Sequence, residues 1–242
     1  LPPDPGVAAL AAAAPQVQFL AVGIPGLPAA SNLSVLGPQG VRPDQEGFMA
    51  GVVAAMTTFD WRVGVLSTSD SPIGKAYRSG FLRGAVYFCG LCLPYYGPIV
   101  DYPLYAEAPA AASAAEWQAA VQTLADNAVD TVYVSPLVTD SAAWEALAQT
   151  DMALIASTAL PDNLQDRGLV LVRPDPLPAI LELLPQLLAG QGGQVAPLPL
   201  KLDQPNLDRF SPGRQARAAE ILVDLLAGYI APGVALLTGD LK

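Results

Sequence analysis

The sequence predicts an α/β fold of parallel sheets flanked by helices and divided into two lobes, and three observations carry that expectation. Short β-branched runs alternate with stretches of helical periodicity, as strand, crossover helix and parallel strand do. Segments rich in Pro, Gly and Asn interrupt the alternation at 23–30, 158–167 and 204–213, where connections between lobes or long loops fit. The 242 residues are 52% hydrophobic and 14% charged. A chain of this size buries roughly 70–75% of the surface its unfolded form exposes, which gives a substantial core.

Strands are expected at 16–22, 32–36, 62–67, 93–100, 131–134, 153–156, 169–172 and 195–200. Asp44 is placed to cap a helix running to about Thr58, with Phe48, Val52 and Met56 on its apolar face. Ile73, Tyr77, Phe81 and Phe88 line one face of the next helix. Gly80 and Gly84 beside that stripe would let it approach a sheet closely. The Ala- and Pro-rich stretch 106–115 reads as a surface connection. It leads to a capping box, Ser113 with Glu116, followed by Trp117, Val121, Leu124 and Ala128 at helical spacing. Ser211 and Pro212 open the last helix. Its buried stripe is Ala218, Ile221, Leu222, Leu225 and Tyr229, and Arg217, Glu220 and Asp224 take the wet side. The expected organisation is a first lobe from 1–37 plus about 175–195, a second from 38–174, and a crossover strand with closing helix over 196–242.

Charge and composition exclude several functions. Twelve Lys and Arg stand against 22 Asp and Glu, a net charge of −10. Without a basic cluster the phosphate-tracking surface of a nucleic-acid binder is missing. The chain has no histidine, which removes Ser-His-Asp and Cys-His nucleophile systems and most zinc and iron sites. Neither a cofactor, a metal site nor a catalytic residue is expected. The longest apolar runs are too short to span a membrane. The chain opens Leu1-Pro2-Pro3-Asp4, without a recognisable targeting segment.

In open α/β sheets, ligands lie outside the carboxyl ends of the strands. Those ends offer Thr68, Ser69, Asp70 and Ser71 after one strand, and Ser135, Thr139, Asp140 and Trp144 after another. Ser157 and Thr158 follow a third, and Arg173 and Asp175 a fourth. Hydroxyls, a few charges and an aromatic ring suit a small polar ligand. The ligand-binding candidates are Ser69, Asp70, Ser135, Thr139, Asp140, Trp144, Thr158 and Arg173. The plainer reading makes Asp70 and Asp140 helix caps and Trp144 a core residue. Cys89-Gly90-Leu91-Cys92 has the spacing of a thiol–disulfide centre. It sits at a helix end, though, without the helix N-terminus that lowers a thiol pKa. A structural disulfide or two inert thiols fit better. Closing so small a loop stabilises by at most about 2 kcal/mol. Tyr95, Tyr96, Tyr102 and Tyr105 suggest half-buried strand positions.

Asp44-Gln45-Glu46-Gly47-Phe48-Met49-Ala50-Gly51-Val52-Val53-Ala54-Ala55 resembles the E-G-x-x-A-G-x-x-A-A helix of the basic membrane protein family. Pro15-Gln16-Val17-Gln18-Phe19 is similar to that family's P-x-V-x-F strand. Gly80-Phe81-Leu82-Arg83-Gly84-Ala85 is similar to its G-F-x-x-G-A helix, and 218–230 to its closing helix. The resemblance covers most of 15–90 closely and the remainder loosely. It implies a type I periplasmic-binding-protein-like fold whose N-terminal lobe is incomplete here, because family members begin with a further stretch. It also implies an extracytoplasmic substrate-binding lipoprotein of an ABC transporter. Such a protein captures a small polar ligand between its lobes, nucleosides being one class, and delivers it to a membrane permease. Contact with the membrane would come through a lipid anchor outside this chain. Two elements depart from the family. Ile155-Ala156-Ser157-Thr158 replaces I-G-V-D and lacks its sugar-binding carboxylate, and Ser135-Pro136-Leu137-Val138-Thr139-Asp140 replaces an A-G-x-x-G loop. Ribose recognition then needs another acceptor, and Asp140 and Asp175 are available. The alternatives are a ligand-sensing input domain of a signalling protein and, third, a thiol-disulfide oxidoreductase.

Overall fold

A computed structural model describes residues 6–242. In chain order the elements are α1 (Val7–Ala13), β1 (Phe19–Val22), β2 (Leu33–Leu36), α2 (Pro43–Thr57), β3 (Val63–Thr68), α3 (Pro72–Cys89), β4 (Leu104–Ala108) and α4 (Ala114–Asp126). There follow β5 (Thr131–Val134), α5 (Ser141–Ala148), β6 (Ala153–Ala156), a 3₁₀ turn (Asp162–Arg167), β7 (Gly168–Pro174), α6 (Leu177–Leu188), β8 (Val195–Ala196), β9 (Leu200–Asp203), α7 (Pro212–Leu226), β10 (Val234–Ala235) and β11 (Asp240–Leu241). This is the expected α/β fold with mostly parallel sheets.

By internal contacts the chain divides into two units. One comprises Leu1–Arg42 and Pro174–Lys201, the other Pro43–Arg173 and Leu202–Lys242. The stretch 196–242, expected as one crossover segment, is shared between them.

The smaller unit holds the three-stranded sheet β1-β2-β8, parallel throughout. Ala11, Ala21, Leu27, Leu33 and Val35 form its core. The buried Asn32 amide nitrogen lies 2.9–3.1 Å from the carbonyls of Ala11, Ala14 and Val17, which ties the end of α1 to the start of β2. The expected strand at 195–200 is split in two. Pro197 and Pro199 lack the N–H a ladder needs, so β8 pairs with β2 while β9 joins the other sheet.

The larger unit is built on a six-stranded sheet in the order β4-β3-β5-β6-β7-β9. Strands β3, β5 and β6 are buried at every position, as a parallel sheet covered on both faces requires. On one face lies α2, whose every residue but Gln45 is buried. A helix so enclosed shows no amphipathic stripe, and burial extends all the way round, taking in Asp44 and Glu46 besides the expected apolar face. Gly47 and Gly51 of α2 meet Gly80 and Gly84 of α3. A Cβ at any of the four would overlap backbone of the opposite helix. The glycines of α3 therefore admit a helix, where the sequence suggested a sheet. Ser71, with Pro72 after it, caps α3 by accepting from Gly74 N at 3.0 Å. The capping box of Ser113 and Glu116 opens α4 as expected.

The expected strand at 93–100 is a loop, and its backbone partners explain why. The Arg62 guanidinium donates to the carbonyls of Tyr96, Gly97 and Pro98, and Asp60 accepts from Tyr95 N at 2.6 Å. Pro94 and Pro98 remove further ladder donors. The strand of this region is instead β4, whose last three residues fall in the stretch read as a surface connection. It pairs with β3 from Gly64↔Leu104 to Thr68↔Ala108. Tyr95 and Tyr96 project from the loop into solvent rather than lying half-buried on a strand. In α7, Ala218, Ile221 and Leu225 are buried, whereas Tyr229 lies past the helix and is exposed.

Candidate functional site at the carboxyl edge of the six-stranded sheet

From β3 the chain passes to β4 on one side and then to β5 on the other. That reversal is a topological switch point, where the loops leaving two neighbouring strands diverge and open a crevice at their carboxyl ends. Buried hydroxyls mark it. Ser67 Oγ donates to Gly74 O at 2.8 Å and lies 3.1 Å from Ser135 Oγ. Ser135 N donates to Leu66 O, which holds the exit of β5 against β3. The buried Thr68 hydroxyl has no protein partner.

The sequence-identified residues are distributed around this edge as follows. Ser69 is half-buried and its N–H donates to Ala108 O at 3.0 Å. Asp70 is exposed. Its Oδ2 accepts from Ala110 N at 3.0 Å and so pins the exit of β4 to that of β3. The cap of α3 is Ser71, one position later than the capping reading of Asp70. Asp140 does cap α5, accepting from Ala142 N at 2.8 Å. Thr139 and Thr158 are exposed. Trp144, half-buried, packs against the hydrophobic cluster that includes Trp117 and Leu147. Arg173 forms an ion pair with Asp203 of the neighbouring strand β9. The loops after β3, β5 and β6 thus share one edge, and Arg173 lies further along the same edge, at the end of β7.

Beneath these loops lies a polar cluster that the sequence reading did not assemble. Glu46, in the first turn of α2, is 1% exposed, and its Oε2 has no hydrogen-bond partner. Burial pushes its pKa up to about 7, against a smaller lowering by the Ser157 hydroxyl. Ser157, directly after β6, lies 2.8 Å from the hydroxyl of the fully buried Tyr133 on β5. Tyr133 stacks on Phe81 of α3, with ring centroids 6.0 Å apart. Burial, together with the Glu46 charge, holds the Tyr77 and Tyr133 phenols well above their usual range. A signal for Glu46 was present: it stands four and seven residues before Ala50 and Val53, on a row that is otherwise apolar.

At the opposite, amino-terminal edge a groove of about 750 Å³ opens between α4 and α5, lined in part by Gln118, Asp130, Glu145 and Asp151. Asp130 is already occupied, accepting from Thr58 Oγ1 at 2.8 Å and Phe59 N at 3.2 Å. Cys89 closes α3 and is disulfide-bonded to Cys92. Among the described residues no cluster of His, Cys, Asp or Glu could hold a metal, and no helix is long and apolar enough to cross a membrane.

No protein-family profile and no curated protein matches the chain. Solved structures do. A solute-binding protein of an ABC transporter system from Conexibacter woesei superposes with a TM-score of 0.71 at 20% identity, over 92% of this chain and 73% of that one. An ABC transporter solute-binding protein from Aeropyrum pernix gives 0.53 at 13% identity, over 92% and 67%. A transcriptional activator of the comK gene from Bacillus halodurans gives 0.53 at 16% identity, over 97% and 75%. At these identities the likeness shows the fold alone, mostly parallel α/β sheets flanked by helices, shared with solute-binding proteins and a transcriptional activator.

Proposed function

We propose that this chain is the ligand-capturing protein of an ABC-type transporter, extracytoplasmic and without a chemical step of its own. The observation that carries this reading is the carboxyl edge of the six-stranded sheet. There, hydroxyl-bearing loops and the capped N-termini of α3 and α5 converge on a switch point. Helix N-termini present free N–H groups, and parallel strands aim their exit loops at one crevice. A small polar ligand, nucleoside-like compounds among the candidates, is held there by hydrogen bonds. Ser69, Thr139, Asp140 and Thr158 are the contact candidates, with Ser135 and Trp144 shaping the loop and Arg173 at the far strand. The fold shared with two solute-binding proteins supports the role, and the E-G-x-x-A-G-x-x-A-A helix supports a place near the basic membrane protein family. Its partners are then the ligand and a membrane permease, and a lipid anchor would lie outside this chain.

Calorimetric titration against nucleosides and other small polar metabolites tests the reading, followed by the variants Thr139→Ala and Thr158→Ala, which leave both helix caps in place. Removing one hydrogen-bond partner should weaken an identified ligand by about 1–3 kcal/mol. A ligand bound as tightly by both variants as by the parent would move the site elsewhere. The sensing-domain reading ranks second: the Bacillus halodurans activator matches at 0.53, equal to the Aeropyrum pernix protein and below the 0.71 of the Conexibacter woesei protein. Permease and ATPase genes beside this one favour transport, and a kinase or DNA-binding region favours sensing.

A further inference from the structure

Helix α6 of the smaller unit is apolar around most of its circumference, with Glu182 and Gln186 its only polar residues. A helix of that composition is ordinarily enclosed. Yet only Leu183 of α6 is buried, and among the described residues no other element packs extensively on it. Ile180 and Leu187 are half-buried alongside Leu183. The remaining leucines form a row: Leu177, Leu181, Leu184 and Leu188 are 58%, 58%, 41% and 80% exposed. Separations of four, three and four residues keep them on one face along the length of the helix, with the a/d spacing of a coiled-coil seam.

Two features indicate what covers this row. The first is its symmetry. The spacing reads the same from either end, so a second α6 laid antiparallel sets Leu177 against Leu188 and Leu181 against Leu184, each pair twice. An isologous interface needs a patch that is complementary to itself in this way. The second is charge. The smaller unit's sequence carries Asp4, Asp175 and Glu182 against Arg42 and Lys201, a net charge of −1, and the larger unit carries the other −9 of the chain's −10. Two copies that meet through their smaller units avoid the like-charge repulsion met by any contact between the larger ones. The scarcity of Lys and Arg disfavours a lipid surface, which an interfacial helix binds through a basic polar face.

We propose that α6 is the interface of a homodimer, in which two copies of this chain pair their α6 helices antiparallel along the row from Leu177 to Leu188. The helix is about 18 Å long. So short a seam buries less than a permanent dimer interface does, and the association is a reversible one that responds to concentration. It does not depend on the transport reading.

Sedimentation equilibrium on the intact chain, from about 1 to 500 µM, should show a monomer–dimer equilibrium. Leu181→Glu should raise the dissociation constant about 30-fold or more, because each copy would bury an unpaired charge in the seam. Leu188→Glu, at the most exposed position of the row, should shift it in the same direction, and it decides alone if Leu181→Glu fails to fold. Leu237→Glu, also exposed but in the larger unit, should leave it unchanged. Disulfide trapping reads the orientation. The two native cysteines are bonded to each other, so Leu177→Cys and Leu188→Cys each supply a single free thiol. An oxidised equimolar mixture of the two should give mainly the mixed dimer, linked between positions 177 and 188. Like-with-like disulfides, or equal yields of all three, would overturn the antiparallel pairing. A parent that stays monomeric to the top of the concentration range overturns the dimer and leaves the row to another polypeptide or to lipid. A dimer indifferent to both glutamate variants overturns it as well.

Discussion

Glu46 carries a consequence for stability that can be signed. Its pKa stands at about 7 in the folded chain against 4.5 for an unburied glutamate. Between those values the folded state holds a proton that the unfolded state has lost. The contribution of this group to stability is thus fully present below pH 4.5, falls as pH rises, and is gone above 7. The difference is on the order of 3 kcal/mol. Glu46→Gln has no such dependence, so in urea unfolding it should match the parent near pH 4.5 and exceed it by a few kcal/mol at pH 8. Parallel curves for the two proteins would show that the carboxyl is not desolvated. Side chains that act within their own turn were legible in the sequence. Ser113 and Asp140 cap the helices that follow them because a cap needs nothing beyond three neighbouring residues. Asp70 missed by one position, since Ser71 with Pro72 is the stronger helix start. Glu46 was read as part of a family motif; its place on an otherwise apolar row was visible, but the β5 and β6 residues that enclose it lie more than 80 positions away in sequence.

At the level of elements, the α2–α3 contact is the most demanding. Its four glycines allow backbone to meet backbone, and Gly84→Ala would drive a methyl into the Phe48 carbonyl. A loss of about 1–3 kcal/mol is expected from overpacking. Gly213→Ala, with open space around its Cβ in the first turn of α7, should instead gain about 0.4–1 kcal/mol by restricting the unfolded chain. Thermal unfolding of both variants separates the two, and equal effects would mean the helices can slide apart at little cost. Glycine spacing announced a close approach but not its partner. The matching pair Gly47 and Gly51 was visible in the same sequence and points to a helix. Strands β5 and β6 agree with expectation to the residue, because both are short, largely apolar runs that follow a clear helix. The tyrosine-rich stretch 93–100 misled because hydrophobic, aromatic composition is common to strands and to loops held by side chains. Arg62→Ala should release that loop, since three carbonyls lose their donor. Limited proteolysis should then cut within 93–100 in the variant and not in the parent, and an uncut variant would show that the disulfide and prolines suffice.

For the whole molecule, alternation of strand and helix was enough to reach the fold class, because parallel sheets need a crossover for every strand. What alternation does not reveal is which sheet a strand joins. Strands β8 and β9 are separated by three residues and belong to different sheets. The smaller unit is discontinuous in sequence: β2 pairs with β8, and the contact of Ser34 with Gln194 spans 160 positions. Seen from the ribosome, that distance is a delay. At roughly 5–20 residues per second, β2 emerges about 8–30 seconds before the strand that completes its sheet. During that interval the polypeptide between them can pair five strands, β3 to β7, of the six-stranded sheet, while the free flank of β2 remains open to any passing chain. This protein's vulnerable moment is therefore its birth, and a holdase that shields one nascent strand would guard it better than any stabilisation of the finished core.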